Sequence, residues 1–410
     1  MPLPQPNPHA SLLLVEECFA RQHEGFLEAL RQVSQPKLLA AFADRWKKDA
    51  RPWARAQIFA YLEQALDCPG HQPLVKHLFK EAEERKDDEL MAAFLTAFDT
   101  LVRRVRRKHT TWDRASRSAV EHEVLSTPHD AIPLAKDIAK TYPDPKTGQR
   151  VVIAKQGRRL RGGKLFSHRT RHYLRRRAWR YFRWLGFARP ADFPAAVLPA
   201  LRRYRDADLE KGEHILDSWA LLHICFHGGD VIVFHWRHHR LREGRTLGEL
   251  RAAPRFAPTW DTPEAARAVF KLVSEARATL VRMWAMDLFR GLKSRATVEI
   301  TADDLLALLD HADERVQQFG AELFEAQGGN ERLPVATWLR LLGTRNLTAL
   351  ATLCAAFERH VSGERLTLAH CLELATARPV PVARLGLALL KTRAIAPGVL
   401  PSLGTLADAR

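Results

Sequence analysis

The sequence predicts a mainly all-α fold, and three observations carry that prediction. Apolar residues recur at i, i+3 and i+4 through 10–108 and again through 263–392. The same residue classes return at a spacing of 33 in the C-terminal third. The best strand signal is one short run, Val231-Ile232-Val233-Phe234. A chain of 410 residues is long for a single core, so two or more lobes or an extended array is expected.

Residues 1–9 are a Pro-rich polar tail, expected to be disordered. Residues 10–108 read as N-terminal helical repeats. LLAAFADRW, ARAQIFAYLEQAL, LVKHLFKEAEE and ELMAAFLTAFDTLV carry the helical period between short Pro, Gly or Asp breaks. Ile58 and Leu62 return as Phe94 and Phe98, an offset of 36 that suggests stacked helical hairpins. Residues 109–165 form a basic arm without regular pattern, punctuated by Pro128, Pro133, Pro143, Pro145 and Gly148. Within it, GQRVVIAKQGRRLRGG is expected to be a short hairpin or an extended basic segment.

Residues 166–228 hold central basic helices, and the first of them organises the reading. At 100° per residue, Leu174, Ala178, Tyr181, Phe182 and Leu185 make an apolar stripe. His172, Arg176, Arg180 and Arg183 fall on the opposite side. Trp179 lies at one border of that arginine face, with Tyr173 and Trp184 at the other. Residues 229–262 are read as a small β insertion and linker. Thr262-Pro263-Glu264 then opens a helix with a hydroxyl cap and a first-turn proline.

The C-terminal repeats occupy 263–410. Thr301 and Asp304 make a capping-box pattern. Val316, Phe319, Gly320, Leu323 and Phe324 return 66 residues on as Val382, Leu385, Gly386, Leu389 and Leu390, with Leu347, Leu350, Ala351 and Cys354 between them. Val281, Trp284, Ala285, Leu288 and Phe289 precede them by 35. The recurring small residue lets the second helix of a hairpin approach its neighbour. LLALLDHADERVQQFGAELF resembles the HEAT-like (armadillo-type) repeat, with Asp313 and Val316 at the turn aspartate and following aliphatic position. The resemblance implies an α-solenoid, a platform that mostly binds proteins or nucleic acids.

Charge points to the partner. Residues 101–190 hold 24 Lys+Arg against 6 Asp+Glu, a balance of +18; the chain totals +17, so the other 320 residues sum to −1. A basic patch this local suits a polyanion better than a high overall pI would. The contacts expected are Arg158, Arg159, Arg161, Lys164, Arg171, Arg175, Arg176, Arg180 and Arg183, with Trp179, Trp184 and Tyr173 as stacking surfaces. Five scattered cysteines without a CxxC pair suit a reducing compartment. No signal peptide, anchor or membrane span is expected, which gives a cytoplasmic reading.

Signals of chemistry fail on spacing. GRRLRGGK has an extra glycine and Leu165 where a P-loop needs a hydroxyl. His122-Glu123 lacks the second histidine of HExxH. His223, His227, His235, His238 and His239 are expected at the surface or facing phosphate rather than on a metal. No catalytic residue, cofactor or metal is therefore assigned. The expectation is a non-catalytic nucleic-acid-binding protein, for RNA or DNA. A scaffold for an acidic protein partner and a HEAT-like DNA glycosylase are the alternatives.

Overall fold

The computed structural model describes residues 12–66, 68–102, 105–113, 117–126, 137–143, 147, 150–157, 168–235, 238–326 and 333–393. Among them stand 19 α-helices and three two-stranded antiparallel hairpins, so the chain is mostly helical. The chain divides into two compact units, 1–268 with 276–288, and 269–275 with 289–410. The expected tail at 1–9 lies outside the described residues.

The first unit begins with α1 (Leu12–Ala20), α2 (Phe26–Gln32), α3 (Pro36–Trp46), α4 (Pro52–Tyr61), α5 (Gln72–Glu84) and α6 (Asp88–Thr100). Proline stands in the first turn of α3, α4 and α5, where its fixed φ suits the helix and its missing N–H leaves no bond unmade. Aromatic rings fill this core: Phe26 meets Trp46 edge-on at 5.1 Å, and Phe19 meets Phe42 at 5.3 Å. His71 is fully buried among them with both nitrogens engaged. Its Nε2 donates to the Val33 carbonyl (3.1 Å), so Nδ1 accepts from the Tyr61 hydroxyl (2.8 Å). Helix α6 is buried without a break from Leu90 to Asp99. It is apolar nearly all round and is covered accordingly, by α5 and by the later helices α7 (His168–Ala188), α8 (Phe193–Arg203) and α11 (Trp219–Cys225).

The helix expected to run to about Lys108 ends at Thr100. Beyond Val102 only Val105 keeps the helical spacing before Lys108, and the crowded cations around it repel along a helix. The chain instead pairs β1 (Val105–Asp113) with β2 (Ser118–Ser126), a register that sets Lys108 opposite Glu123. A second hairpin joins β3 (Asp137–Pro143) to β4 (Arg150–Gly157). The arm read as irregular thus contains two hairpins. β4 is the anticipated RVVIAKQG segment, but its partner lies before it rather than in GRRLRGG.

After α8 come α9 (Asp206–Leu209), α10 (Gly212–Asp217) and α11, then the expected β insertion, β5 (Ile232–Phe234) with β6 (His239–Leu241). Next are α12 (Pro263–Glu275) and α13 (Thr279–Gly291), each shared between the units. The hydroxyl of Thr262 accepts from Ala265 N–H at 3.2 Å, the predicted cap of α12.

The second unit contains three helix pairs: α14 (Ala302–Leu309) with α15 (Glu314–Ala326), α16 (Val335–Leu342) with α17 (Leu347–His360), and α18 (Leu368–Ala375) with α19 (Val380–Lys391). Neighbouring pairs meet through like helices, α14 on α16, α15 on α17 and α17 on α19. Thr301 and Asp304 form the predicted reciprocal capping box at the start of α14. The turns are also tied together: Asp310 accepts from the Thr344 hydroxyl and from Arg345 N–H (2.8 Å), while Asn346 Nδ2 donates to Gln317 Oε1 (3.0 Å). Trp338 fills the core edge-on against Phe324 (5.5 Å) and Phe357 (5.6 Å).

The two glycines of the repeat face the first helix of their own pair. A Cβ on Gly320 would lie 2.9 Å from Leu308 Cβ, and one on Gly386 would fall on the backbone of Leu374–Ala375. Close helix approach is therefore what these positions require.

Candidate nucleic-acid interface

Helix α7 is two-faced as its periodicity predicts, except that His172, expected on the outer face, is half-buried with its ring edge-on to Trp219 at 5.7 Å. Leu174, Ala178, Tyr181, Phe182 and Leu185 are buried, while Arg176, Arg180 and Arg183 are exposed. Among the described residues these three arginines have no carboxylate partner. The contrast along the same helix is informative. Arg177 is held by Glu83 (2.6 Å) and donates to the Tyr173 hydroxyl (2.7 Å), and Arg189 reaches Asp88 (3.5 Å) and Asp192 (3.3 Å). The row left without internal countercharge is the row facing solvent.

Exposed aromatic rings flank it. Trp184 is 52% exposed, with the Lys86 ammonium 5.9 Å from its ring centroid. Tyr173 is 48% exposed. Two members of the stripe escaped the sequence reading: Arg169 and Phe187, both exposed, extend it one step beyond each end. The same helical projection places them in line with Arg176, Arg180 and Arg183.

Three expected contacts are corrected. Arg171, Arg175 and Trp179 are buried rather than presented to a ligand on that face. Arg171 pairs with Asp217 (2.8 Å) and donates from Nε to the Phe98 carbonyl (2.8 Å) and from Nη2 to that of Asp99. It thereby caps the C-terminus of α6, where a cation is favoured by the free carbonyls. Arg175 donates to Asp217 Oδ1 (3.1 Å) and lies over the Trp219 ring at 5.0 Å. Asp99 completes the network, accepting from the Tyr204 hydroxyl (2.8 Å) and from Ala220 N–H (2.7 Å) in the first turn of α11. Burial raises its pKa, and Arg175 and Arg171 oppose that rise. These arginines join α6, α7 and α11. Arg158, Arg159, Arg161 and Lys164 lie outside the described residues.

Trp179 turns inward into a cluster of rings. It stacks on His223 with centroids 5.0 Å apart and planes 14° from parallel. His223 lies 5.1 Å from Trp219, 5.0 Å from His239 and 4.8 Å from Phe234. Trp219 and His239 approach to 4.3 Å. The expected surface placement of these histidines is thus corrected for two of them: His223 is 9% and His239 5% exposed. Burial, with neighbouring histidines and arginines adding repulsion, pulls the His223 pKa down to about 2. Burial and Arg175 bring that of His239 to about 3. Both rings are neutral at pH 7.

Among the described residues, no group of three His, Cys, Asp or Glu side chains is placed to hold a metal ion, and no helix is long and apolar enough to cross a membrane. Comparison of the chain with protein-family models, with curated proteins and with solved structures found no match.

Proposed function

We propose that this chain binds nucleic acid through the outer face of α7. The observation that carries the reading is the row Arg176, Arg180 and Arg183, exposed and without a carboxylate partner among the described residues, edged by exposed Tyr173 and Trp184. A solvated surface helix ordinarily intersperses both signs of charge; this face has only one. Arginines one turn apart suit successive phosphates, and adjacent rings suit unpaired bases. The stacked helix pairs of the second unit are read as a HEAT-like α-solenoid, a binding platform rather than a catalyst. This reading puts the partner, RNA or DNA, on the surface and requires no cofactor.

The test is a panel of labelled single-stranded and duplex RNA and DNA titrated into the full chain at several salt concentrations. Salt-dependent binding to at least one class is expected. Failure to bind any of them, with capture of an acidic protein that Arg176→Gln, Arg180→Gln and Arg183→Gln together abolish, would move the function to a protein scaffold.

A further inference from the structure

The ring cluster behind Trp179 contains polar atoms that the fold leaves unbonded. Among the described residues, neither nitrogen of His223 and neither nitrogen of His239 has a hydrogen-bond partner, nor do Trp219 Nε1 and Arg255 Nε. Buried polar groups are nearly always satisfied, because an orphaned donor or acceptor forfeits its hydrogen bonds to water. His71 shows that this protein can satisfy a buried imidazole where its role is structural. The orphaned atoms at His223 and His239 are instead concentrated in one place, on rings 5.0 Å apart.

The chemistry of the surroundings decides what could fill them. Trp219 Nε1 and Arg255 Nε only donate, and each neutral imidazole carries one N–H. Arg175 sits over Trp219, and Arg255 lies over Trp179 at 5.8 Å. The carboxylate nearest Arg175, Asp217, is already engaged by Arg171 and Arg175. A metal cation would be repelled by these guanidinium groups, whereas an acceptor-rich anion would meet donors. A route outward is marked by His227. It is half-buried, stacks 5.6 Å from His223, and burial, Arg255 and Arg183 together lower its pKa. Arg183 belongs to the exposed row, so positive charge leads from that face toward the cluster.

We infer that His223, His239 and Trp219 form a site for a phosphate monoester, reached from the arginine face past His227 and Arg255. The group would accept from Trp219 Nε1 and from the two imidazoles. An arriving anion also favours a second proton on either ring, so binding strengthens as pH falls. This inference adds a terminal phosphate to the nucleic-acid reading, but its central arm needs no nucleic acid.

The experiment titrates the full chain with inorganic phosphate, with adenosine monophosphate, and with one oligonucleotide carrying either a 5′-phosphate or a 5′-hydroxyl. Sodium chloride at matched ionic strength is the control. The readouts are melting temperature and the imidazole ¹H–¹⁵N signals of His223 and His239. Phosphate is expected to move both signals saturably and to raise the melting temperature, as any ligand of the native state does. His223→Phe with His239→Phe, an apolar replacement that keeps ring volume, should remain folded and lose the response. Trp219→Phe should weaken it about tenfold, and the triple Gln variant of the outer face should keep the inorganic-phosphate response. A free nucleotide source is indicated if adenosine monophosphate binds and the two oligonucleotides do not differ; a strand end is indicated if the 5′-phosphate form binds more tightly. Unmoved imidazole signals, or an equal melting response in the double Phe variant, would overturn the site. A chain that binds no oligonucleotide yet gives the phosphate response keeps the site and sinks the nucleic-acid reading; oligonucleotide binding with unmoved imidazoles does the reverse.

Discussion

Arg175 and Arg176 are neighbours in sequence with opposite fates: the helical projection sets Arg176 opposite the apolar stripe and Arg175 at its border beside Phe182, where periodicity alone does not say whether a cation turns inward. Both are cations on one basic helix. What separates them is Asp217, whose carboxylate takes Arg171 and Arg175 inward while Arg176 is left to solvent. The same holds for Trp179, whose place at the border of the face was legible but whose stacking partner, His223, lies a long way along the chain. Side-chain burial at such borders depends on long-range partners that periodicity does not reveal. Asp217→Asn should destabilise the protein by about 3–5 kcal/mol, measured by urea unfolding, because it leaves two buried guanidinium groups short of a countercharge. A wild-type midpoint would show that the network is not a structural link. Acid gives a second residue-scale test. His71, His223 and His239 have folded pKa values lowered to about 4, 2 and 3, in each case chiefly by burial. Their ordinary value in the unfolded chain is about 6.5, so unfolding takes up protons below that pH. Their stabilising contribution is complete above about pH 6.5 and is lost as pH falls toward the folded values. The melting temperature should therefore drop on acidification, and the double Phe variant should drop less steeply. An identical pH profile in the two proteins would show that the rings are not held neutral by the fold.

At the scale of elements, the apolar stripe of α7, the capping box of α14 and the repeated glycines were legible, because each rests on spacing within one helix. Gly320 and Gly386 carry a graded prediction. An alanine Cβ at 320 would come too close to one atom, Leu308 Cβ at 2.9 Å, whereas at 386 it would overlap several backbone atoms of Leu374 and Ala375. Gly386→Ala should cost about 1–3 kcal/mol of overpacking, and Gly320→Ala less. The reverse order in thermal denaturation would place the tightest helix contact elsewhere. Strands β1 to β4 were not legible as a pair of hairpins. RRKHTTWD and VEHEVLS lack the apolar alternation that marks a strand with one buried face, so their pairing is visible only from the register that sets Lys108 against Glu123. On α7 itself, Trp184→Ala and Tyr173→Ala should weaken single-stranded ligands by about 1–3 kcal/mol per stacked base and leave duplex binding and the salt slope nearly unchanged. Equal loss for both ligand classes would make these rings structural.

Across the whole molecule, the concentration of positive charge at 101–190 was readable by counting alone, and so was the helical class. The division into two units was not, since α12 and α13 are each shared between them and no composition break marks the boundary. Nor does a count say which cations are free to act. We propose that three of them, on the outer face of α7, contact phosphate. The slope of log K against log salt for a single-stranded oligonucleotide, compared between wild type and the variant carrying Arg176→Gln, Arg180→Gln and Arg183→Gln, decides this. Each phosphate contact contributes about 0.7–0.9 to that slope, so the variant should be flatter by about 2–3 units while its melting temperature stays that of the wild type. A variant that binds as tightly as wild type with an unchanged slope would contradict the claim.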